Sequence, residues 1–321
     1  MVFKIDWEKK DTIEHISTDI LNKMVRICFP DKKLVSSFII SGGCANLNIK
    51  IQLKDELLPY ILRIYLRDKN ASYKEQNIAI LIKKTVPIPQ IYFIGDYQNY
   101  RFSIAEFIPG ITLRDLLLKE KTSDITSIMY EVGEILAKIN AYKFSKNGFF
   151  KQNLNIIEQI SHDNYLEHAK KCLEEPLILE LLAKEKIIKI QNYIKNNSHL
   201  LPDETKPHLV HGDFDPANIL VDNIKGEWKV TGILDWEFAF SGSILWDVAN
   251  MLRYRHKMPA EFQEGFLRAL EKENIYLAKD FIGRIDLLNL MALLDCLART
   301  IPQNNPNQCT DICELIDKIL T

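Results

Sequence analysis

The run from His211 to Glu237 constrains this chain more than any other: HGDFDPANILVD, a short polar turn, then WKVTGILDWE. Glycine and proline punctuate its first half, and two short apolar runs flank the turn, so it reads as loop, strand, turn, strand, loop. A hairpin of that kind returns its two ends to one place. Asp213, Asn218 and Asp235 stand at those ends. Three oxygen-bearing side chains brought together there can converge on one magnesium-bound phosphate, because magnesium is a hard cation that prefers oxygen ligands. A carboxylate that can take a hydroxyl proton, followed five residues later by an asparagine, has the spacing of a phosphoryl-transfer catalytic loop. Each residue alone has a blander reading, as a turn aspartate, a strand-start cap and a strand-end turn residue. Their joint occurrence makes Asp213 the candidate base, with Asn218 and Asp235 the candidate magnesium ligands. His211 is given a packing and hydrogen-bonding role. Asp247, early in the apolar segment LWDVANMLR, is expected to brace the backbone of the catalytic loop.

The remaining pattern supplies the frame. Apolar residues at helical spacing predict a helix over Asp11–Cys28. Ser36–Ile40, Leu47–Leu53 and Leu58–Leu66 read as strands, Ser72–Lys84 as a helix, and Ile91–Ile94 with Arg101–Phe107 as a hairpin. Pro109-Gly110 marks an exit from this small antiparallel sheet. Thr112 is expected to cap a short helix, and Ser123–Tyr142 reads as a longer one. A mostly helical stretch follows from Phe144 to Pro207, and beyond Ile244 the chain is helical apart from a polar loop at Ile301–Asn307. The fold class is therefore α+β and bilobal. Residues 1–108 are expected to form a nucleotide-binding lobe, and 109–321 a larger, mainly helical lobe with an insert at about 144–207.

A nucleotide is expected between the lobes. Ser41-Gly42-Gly43-Cys44-Ala45-Asn46 joins the first two strands, and Ser41, Gly42, Gly43 and Asn46 are placed near the phosphates, where small residues let backbone amides approach. A cation on the third strand should pair with the α/β-phosphates and with a carboxylate on the next helix. Arg63 and Glu75 fit best, with Arg67 or Lys50 as alternatives to Arg63. Glu106, Phe107 and Ile108 are expected to be the hinge whose backbone meets the adenine.

Taken in order, SGGCANLNIKI, YILRIYL, YKEQNIAILIKKTVPIPQIYFIG, AEFIPGITL, VGEILAKI, HGDFDPANILV and ILDWEFAFSGSILWDVANMLRY resemble the aminoglycoside phosphotransferase family, which includes choline and other small-molecule kinases. The resemblance implies a protein-kinase-like fold, ATP or GTP as donor, Mg2+ as cofactor and transfer to a hydroxyl. It implies Asp213 as base, Asn218 and Asp235 as metal ligands, and Arg63 with Glu75 as the phosphate-binding pair. Better-known branches carry lysine where Arg63 stands, a compact ammonium in place of a planar fork. The acceptor stays open between an aminoglycoside-like antibiotic, which would make this a resistance protein, and a hydroxylated metabolite. Glu237, Glu261, Glu264, Asp286 and Asp295 are candidate acidic contacts for a polycation, and Leu287–Leu294 a candidate apolar lining. A catalytically weak or inactive kinase-like binding module is the alternative, and it predicts loss of Asp213, Asn218 or Asp235.

Composition narrows the partners. The 321 residues carry 41 Lys and Arg against 43 Asp and Glu, so no basic excess points to nucleic acid. No apolar run suggests a secretion signal or a membrane span. Six cysteines without a CxxC pair fit reduced thiols. A cytoplasmic monomer is expected.

Overall fold

The computed structural model describes residues 3–8, 16–40, 46–119, 124–156, 158–202 and 207–321. Helix α1 (Thr18–Cys28) leads into β1 (Leu34–Ile39), β2 (Leu47–Leu53), β3 (Tyr60–Tyr65), helix α2 (Ala71–Ile82), β4 (Ile91–Tyr97) and β5 (Tyr100–Glu106). Strand β2 shows why a sheet forms: Leu47, Ile49, Ile51 and Leu53 are buried, while the residues between them are half-exposed. The strands pair antiparallel in the order β1-β2-β3-β5-β4. Leu21, Met24 and Val25 of α1 close one face of this sheet in a core with Leu62, Ile64, Phe102 and Ile104. The helix starts at Thr18 because the Ser17 hydroxyl accepts the Ile20 N–H. Residues 11–15 of the expected longer helix lie outside the described residues.

Beyond Gly110 come β6 (Ile111–Thr112), α3 (Leu113–Lys119), α4 (Ile125–Asn140), β7 (Gly148–Phe149), α5 (His162–Glu174), α6 (Pro176–Leu181) and α7 (Lys184–Asn197). They are followed by β8 (His208–Val210), β9 (Ile219–Ile224), β10 (Glu227–Ile233), β11 (Phe240–Gly242), α8 (Leu245–Leu252), α9 (Ala260–Lys272), α10 (Phe281–Ala298) and α11 (Pro306–Ile319). The Thr112 hydroxyl accepts the Asp115 N–H at 3.0 Å, capping α3 as expected. Helix α10 is apolar almost all round, and Leu287, Leu288, Leu290, Leu293 and Leu294 are buried in the large core. That run is core. Among the described residues no helix is long and apolar enough to cross a membrane.

Two features position the site. The β9–β10 hairpin pairs antiparallel with Ile219 opposite Ile233, and Leu234 N–H donates to Asn218 C=O at 2.8 Å, so the two ends of the motif meet. The other departs from expectation. Residues 3–8 are expected with the small lobe, yet Phe3 is fully buried in the large core against the rings of Tyr254 and Phe262. An aromatic side chain that can reach a large apolar core gains more there than beside a small sheet.

Candidate active site

The loop at 211–218 is shaped by one glycine and one buried carboxylate. Gly212 has φ +82, and a Cβ on it would lie 2.5 Å from the Phe238 carbonyl oxygen, so only glycine fits. Asp247 is fully buried at the start of α8 and accepts two backbone N–H groups, His211 at 2.8 Å and Gly212 at 2.9 Å. Burial pushes its carboxyl up to about 7, against those two donors, which favour the charged form. Asn250, one turn on, donates to the Gly212 carbonyl at 3.0 Å. This is the brace expected of Asp247.

His211 is buried, with Trp236 against its ring at 4.4 Å. Its Nε2–H donates to the Leu234 carbonyl at 2.9 Å, and Nδ1 accepts the Asp213 N–H at 3.2 Å. Both ring nitrogens are thus used by the neutral ring, and burial lowers its pKa. The histidine ties the catalytic loop to the end of β10.

Asp213 and Asn218 come together as the motif requires. Asn218 Nδ2 donates to both the main-chain oxygen and Oδ2 of Asp213, each at 2.9 Å. Its nitrogen is thereby committed, and Asn218 lines the cleft described below. Asp235 follows with left-handed backbone, φ 65, which aspartate tolerates better than most residues and which is common at functional sites. Its Oδ1 accepts Arg63 Nη2 at 2.7 Å. The same guanidinium nitrogen lies 3.2 Å from Glu75 Oε1, and the Tyr65 hydroxyl donates to Glu75 Oε2 at 2.7 Å. Arg63 therefore bridges the small-lobe helix α2 to the end of β10. Burial raises the Glu75 carboxyl, and Arg63 opposes that shift.

A cleft of about 410 Å³ opens beside these groups. Ile61 and Ala105 wall it from the sheet, Leu220 and Ile233 from the hairpin. Glu106, Phe107 and Ile108 line it at the exit from β5, whereas Arg63, Glu75, Asn218 and Asp235 line its charged part. An apolar slot continuous with an ionic end matches a flat base carrying phosphates.

The alternative cations are occupied elsewhere. Lys50 lies 4.0 Å over the Phe107 ring, and Arg67 sits 4.3 Å over the Phe238 ring, 3.5 Å from Glu237. Asn46, expected near the phosphates, is buried away from the cleft. Its Nδ2 donates to Glu237 Oε2 at 3.0 Å and its Oδ1 accepts the Leu66 N–H at 3.2 Å, because the buried Glu237 needs a donor across the lobe junction. Ser41, Gly42 and Gly43 lie outside the described residues.

The acidic acceptor candidates do not converge. Glu237 is at the lobe junction, Asp286 receives Arg255 on both oxygens at 2.8 Å, and Asp295 pairs with His168 at 2.9 Å and with Arg299. Glu261 and Glu264 are exposed on α9. One residue outside every motif does join the site. Lys4 Nζ donates to Asp213 Oδ1 at 2.9 Å and lies 3.7 Å from Asp215 Oδ2. Burial alone would lower its pKa, but the two carboxylates raise it above the usual lysine value.

Comparison with known proteins gives a family and a fold. Residues 39–280 match the model of the phosphotransferase enzyme family. Hygromycin-B 4-O-kinase of Escherichia coli is 23% identical over 208 residues, a match spanning 61% of this chain and 56% of that relative. Among solved structures, a thermostable mutant of aminoglycoside phosphotransferase APH(4)-Ia, in ternary complex with AMP-PNP and hygromycin B, superposes with a TM-score of 0.73 at 21% identity, covering 94% of this chain and 97% of that one. The macrolide 2'-phosphotransferase MphH from Brachybacterium faecium, as apoenzyme, gives 0.66 at 14% identity, over 93% and 98%. These likenesses establish a shared, bilobal kinase-like fold.

Proposed function

Because the chain belongs to the phosphotransferase enzyme family, we propose that it is a small-molecule kinase that moves the γ-phosphoryl group of ATP or GTP to an alcohol. The observation that carries this is the pairing of Asp213 with Asn218 through two 2.9 Å hydrogen bonds, next to a cleft that grades from apolar to ionic. In the proposed step the acceptor oxygen forms a bond to the γ-phosphorus while the bond from phosphorus to the β–γ bridging oxygen breaks. Asp213 takes the hydroxyl proton, and ADP or GDP leaves with the bridging electron pair. Arg63 would meet the α/β-phosphates.

The donor set suits magnesium. Asn218 Oδ1 and the Asp235 carboxylate are hard oxygen donors on adjoining loop ends, and both residues line the cleft. Bound there, magnesium would neutralise charge on the β- and γ-phosphates. The first acceptors to try are hydroxylated aminoglycosides such as hygromycin B, the compound with which the APH(4)-Ia neighbour was solved.

The test is release of the nucleoside diphosphate, ADP from Mg-ATP or GDP from Mg-GTP, across aminoglycosides, macrolides, choline, homoserine, methylthioribose and fructosamines. Acceptor-stimulated release from the wild type, lost by orders of magnitude in Asp213→Asn with AMP-PNP binding retained, is the expected result. Equal release by that variant removes Asp213 as base. Absence of both release and nucleotide binding refutes the kinase reading.

A further inference from the structure

We propose that Lys4 is a positioning residue of the transfer centre, a cation delivered by the N-terminal segment that fixes the Asp213 carboxylate and offsets the negative charge facing the incoming phosphoryl group. The inference rests on the reading of Asp213 as base. Lys4 is 209 positions away from Asp213 in sequence, yet its ammonium is 2.9 Å from Oδ1 while Asn218 holds Oδ2. The carboxylate is therefore held at both oxygens. An acceptor hydroxyl approaching Oδ1 meets an oxygen whose direction Lys4 has set. Asp215 stands 3.7 Å from the same ammonium, and its Oδ2 is buried with no hydrogen-bond partner. Without Lys4, two carboxylates would confront a polyanionic donor, and like charges at that range repel strongly where water is scarce.

The segment is built in rather than laid on. Phe3 is fully buried, and its carbonyl accepts Arg114 Nη1 at 3.5 Å, on an arginine that also lines the nucleotide cleft. Trp7 Nε1–H donates to Asp311 Oδ2 at 2.8 Å. The Glu8 carboxylate accepts the N–H groups of Asn307 and Gln308 in the first turn of α11, at 2.7 and 3.1 Å. Phe3 and Lys4 both have left-handed backbone, φ 50 and 59. Such conformations persist in residues other than glycine when the surroundings over-determine them. Anchors on both sides of Lys4 make its charge a fixed part of the site and not a removable plug over the base. Sequence motifs cannot show this, because the cation comes from outside the motif.

The test compares Lys4→Met, which keeps the stem and removes the charge, with Lys4→Arg, which keeps the charge. Calorimetric affinities for Mg-AMP-PNP and Mg-ADP need no acceptor, and the turnover assay is run beside them. Lys4→Met should weaken AMP-PNP about tenfold while leaving ADP unchanged, since only the former carries the γ-group beside Asp213. Where an acceptor is turned over, kcat should fall about 100-fold with little change in acceptor KM, and Lys4→Arg should restore most of it. Matching melting temperatures of the two variants separate this from unfolding. Equal effects on AMP-PNP and ADP, or none on either, overturn the proposal. So does a rise in kcat, which would make the contact an inhibitory cover. A wild type that neither binds nucleotide nor turns over an acceptor sinks the kinase reading, whereas with binding alone the ratio of AMP-PNP to ADP affinity decides the role of Lys4.

Discussion

Replacing Asp247 by asparagine changes one atom type in a fully buried side chain, and the structure fixes the consequence. Two backbone N–H groups, of His211 and Gly212, point at its two oxygens at 2.8 and 2.9 Å. Asparagine keeps the shape but presents one oxygen and one NH2, so one N–H is left facing another donor. A buried donor without a partner costs about 1–3 kcal/mol. For a protein of this size each kcal/mol lowers the melting temperature by about 2–4 °C, so Asp247→Asn should melt about 2–12 °C below the wild type. Asp247→Ala, which strands both N–H groups, should cost about 2–6 kcal/mol. The same loop carries Asp213, and a misplacement of about 1 Å at a reacting group can cost about 100-fold in rate. AMP-PNP affinity should fall far less than turnover, because of the residues lining the cleft only Ala217 and Asn218 belong to the loop that carries Asp213. Differential scanning calorimetry and turnover on the same preparations measure both quantities. A variant that melts and turns over as the wild type does would show that the carboxylate does not brace the loop.

Removing Arg63 deprives two carboxylates of their shared cation, and Arg63→Met should cost about 3–5 kcal/mol in urea unfolding. Arg63→Lys should fall between, because one ammonium does not reproduce the planar fork; indistinguishable unfolding of all three proteins would show the bridge to be idle. His211 gives a pH dependence. Its folded pKa is depressed by burial, so below about 6.5 the unfolded chain binds a proton that the folded chain refuses. Stability contributed by the neutral ring is thus present above that value and lost as the pH falls below it. The buried Asp247 and Glu75 carboxyls, both raised by burial, pull the slope the other way, so the His211 contribution is read as a difference between proteins: the wild-type urea midpoint minus that of His211→Gln should rise between about pH 5 and 7, and a difference that stays flat assigns the effect to another group.

The hairpin that gathers Asp213, Asn218 and Asp235 is legible in the sequence because it is local: turn residues and short apolar runs encode it within residues 214–235. The small sheet is legible for a similar reason, since alternation in Leu47–Leu53 specifies one buried face. The choice of Arg63 over Lys50 and Arg67 is not. All three lie near the third strand, and only the assembled sheet shows Arg63 opposite Asn48 and facing the cleft, with Arg67 beyond the strand end at Tyr65. Asn46 departs from its expected place because its partner, Glu237, comes from 191 positions away. Lys4 is the extreme case. No periodicity or spacing rule connects a lysine at position 4 to a loop 209 residues on; only burial of Phe3 does.

Asp213, the proposed base, and Asp235, the proposed oxygen ligand, belong to different mechanical parts. Asp213 is tied to the large lobe through Asp247, Asn250 and Lys4, whereas the Asp235 loop is tied to the small lobe through Arg63, and through Asn46 and Lys74, which hold Glu237. The two parts meet at the Leu234 N–H to Asn218 bond and at His211, which grips the Leu234 carbonyl. Any change in the angle between the lobes therefore loads this junction first. Damage on the two sides should not add: groups that share one network couple by about 0.5–3 kcal/mol, while independent sites add closely. A cycle of Arg63→Lys and His211→Gln measures that coupling in the unfolding free energy. Simple additivity would mean that the lobes hold the two loops independently and that His211 transmits nothing between them.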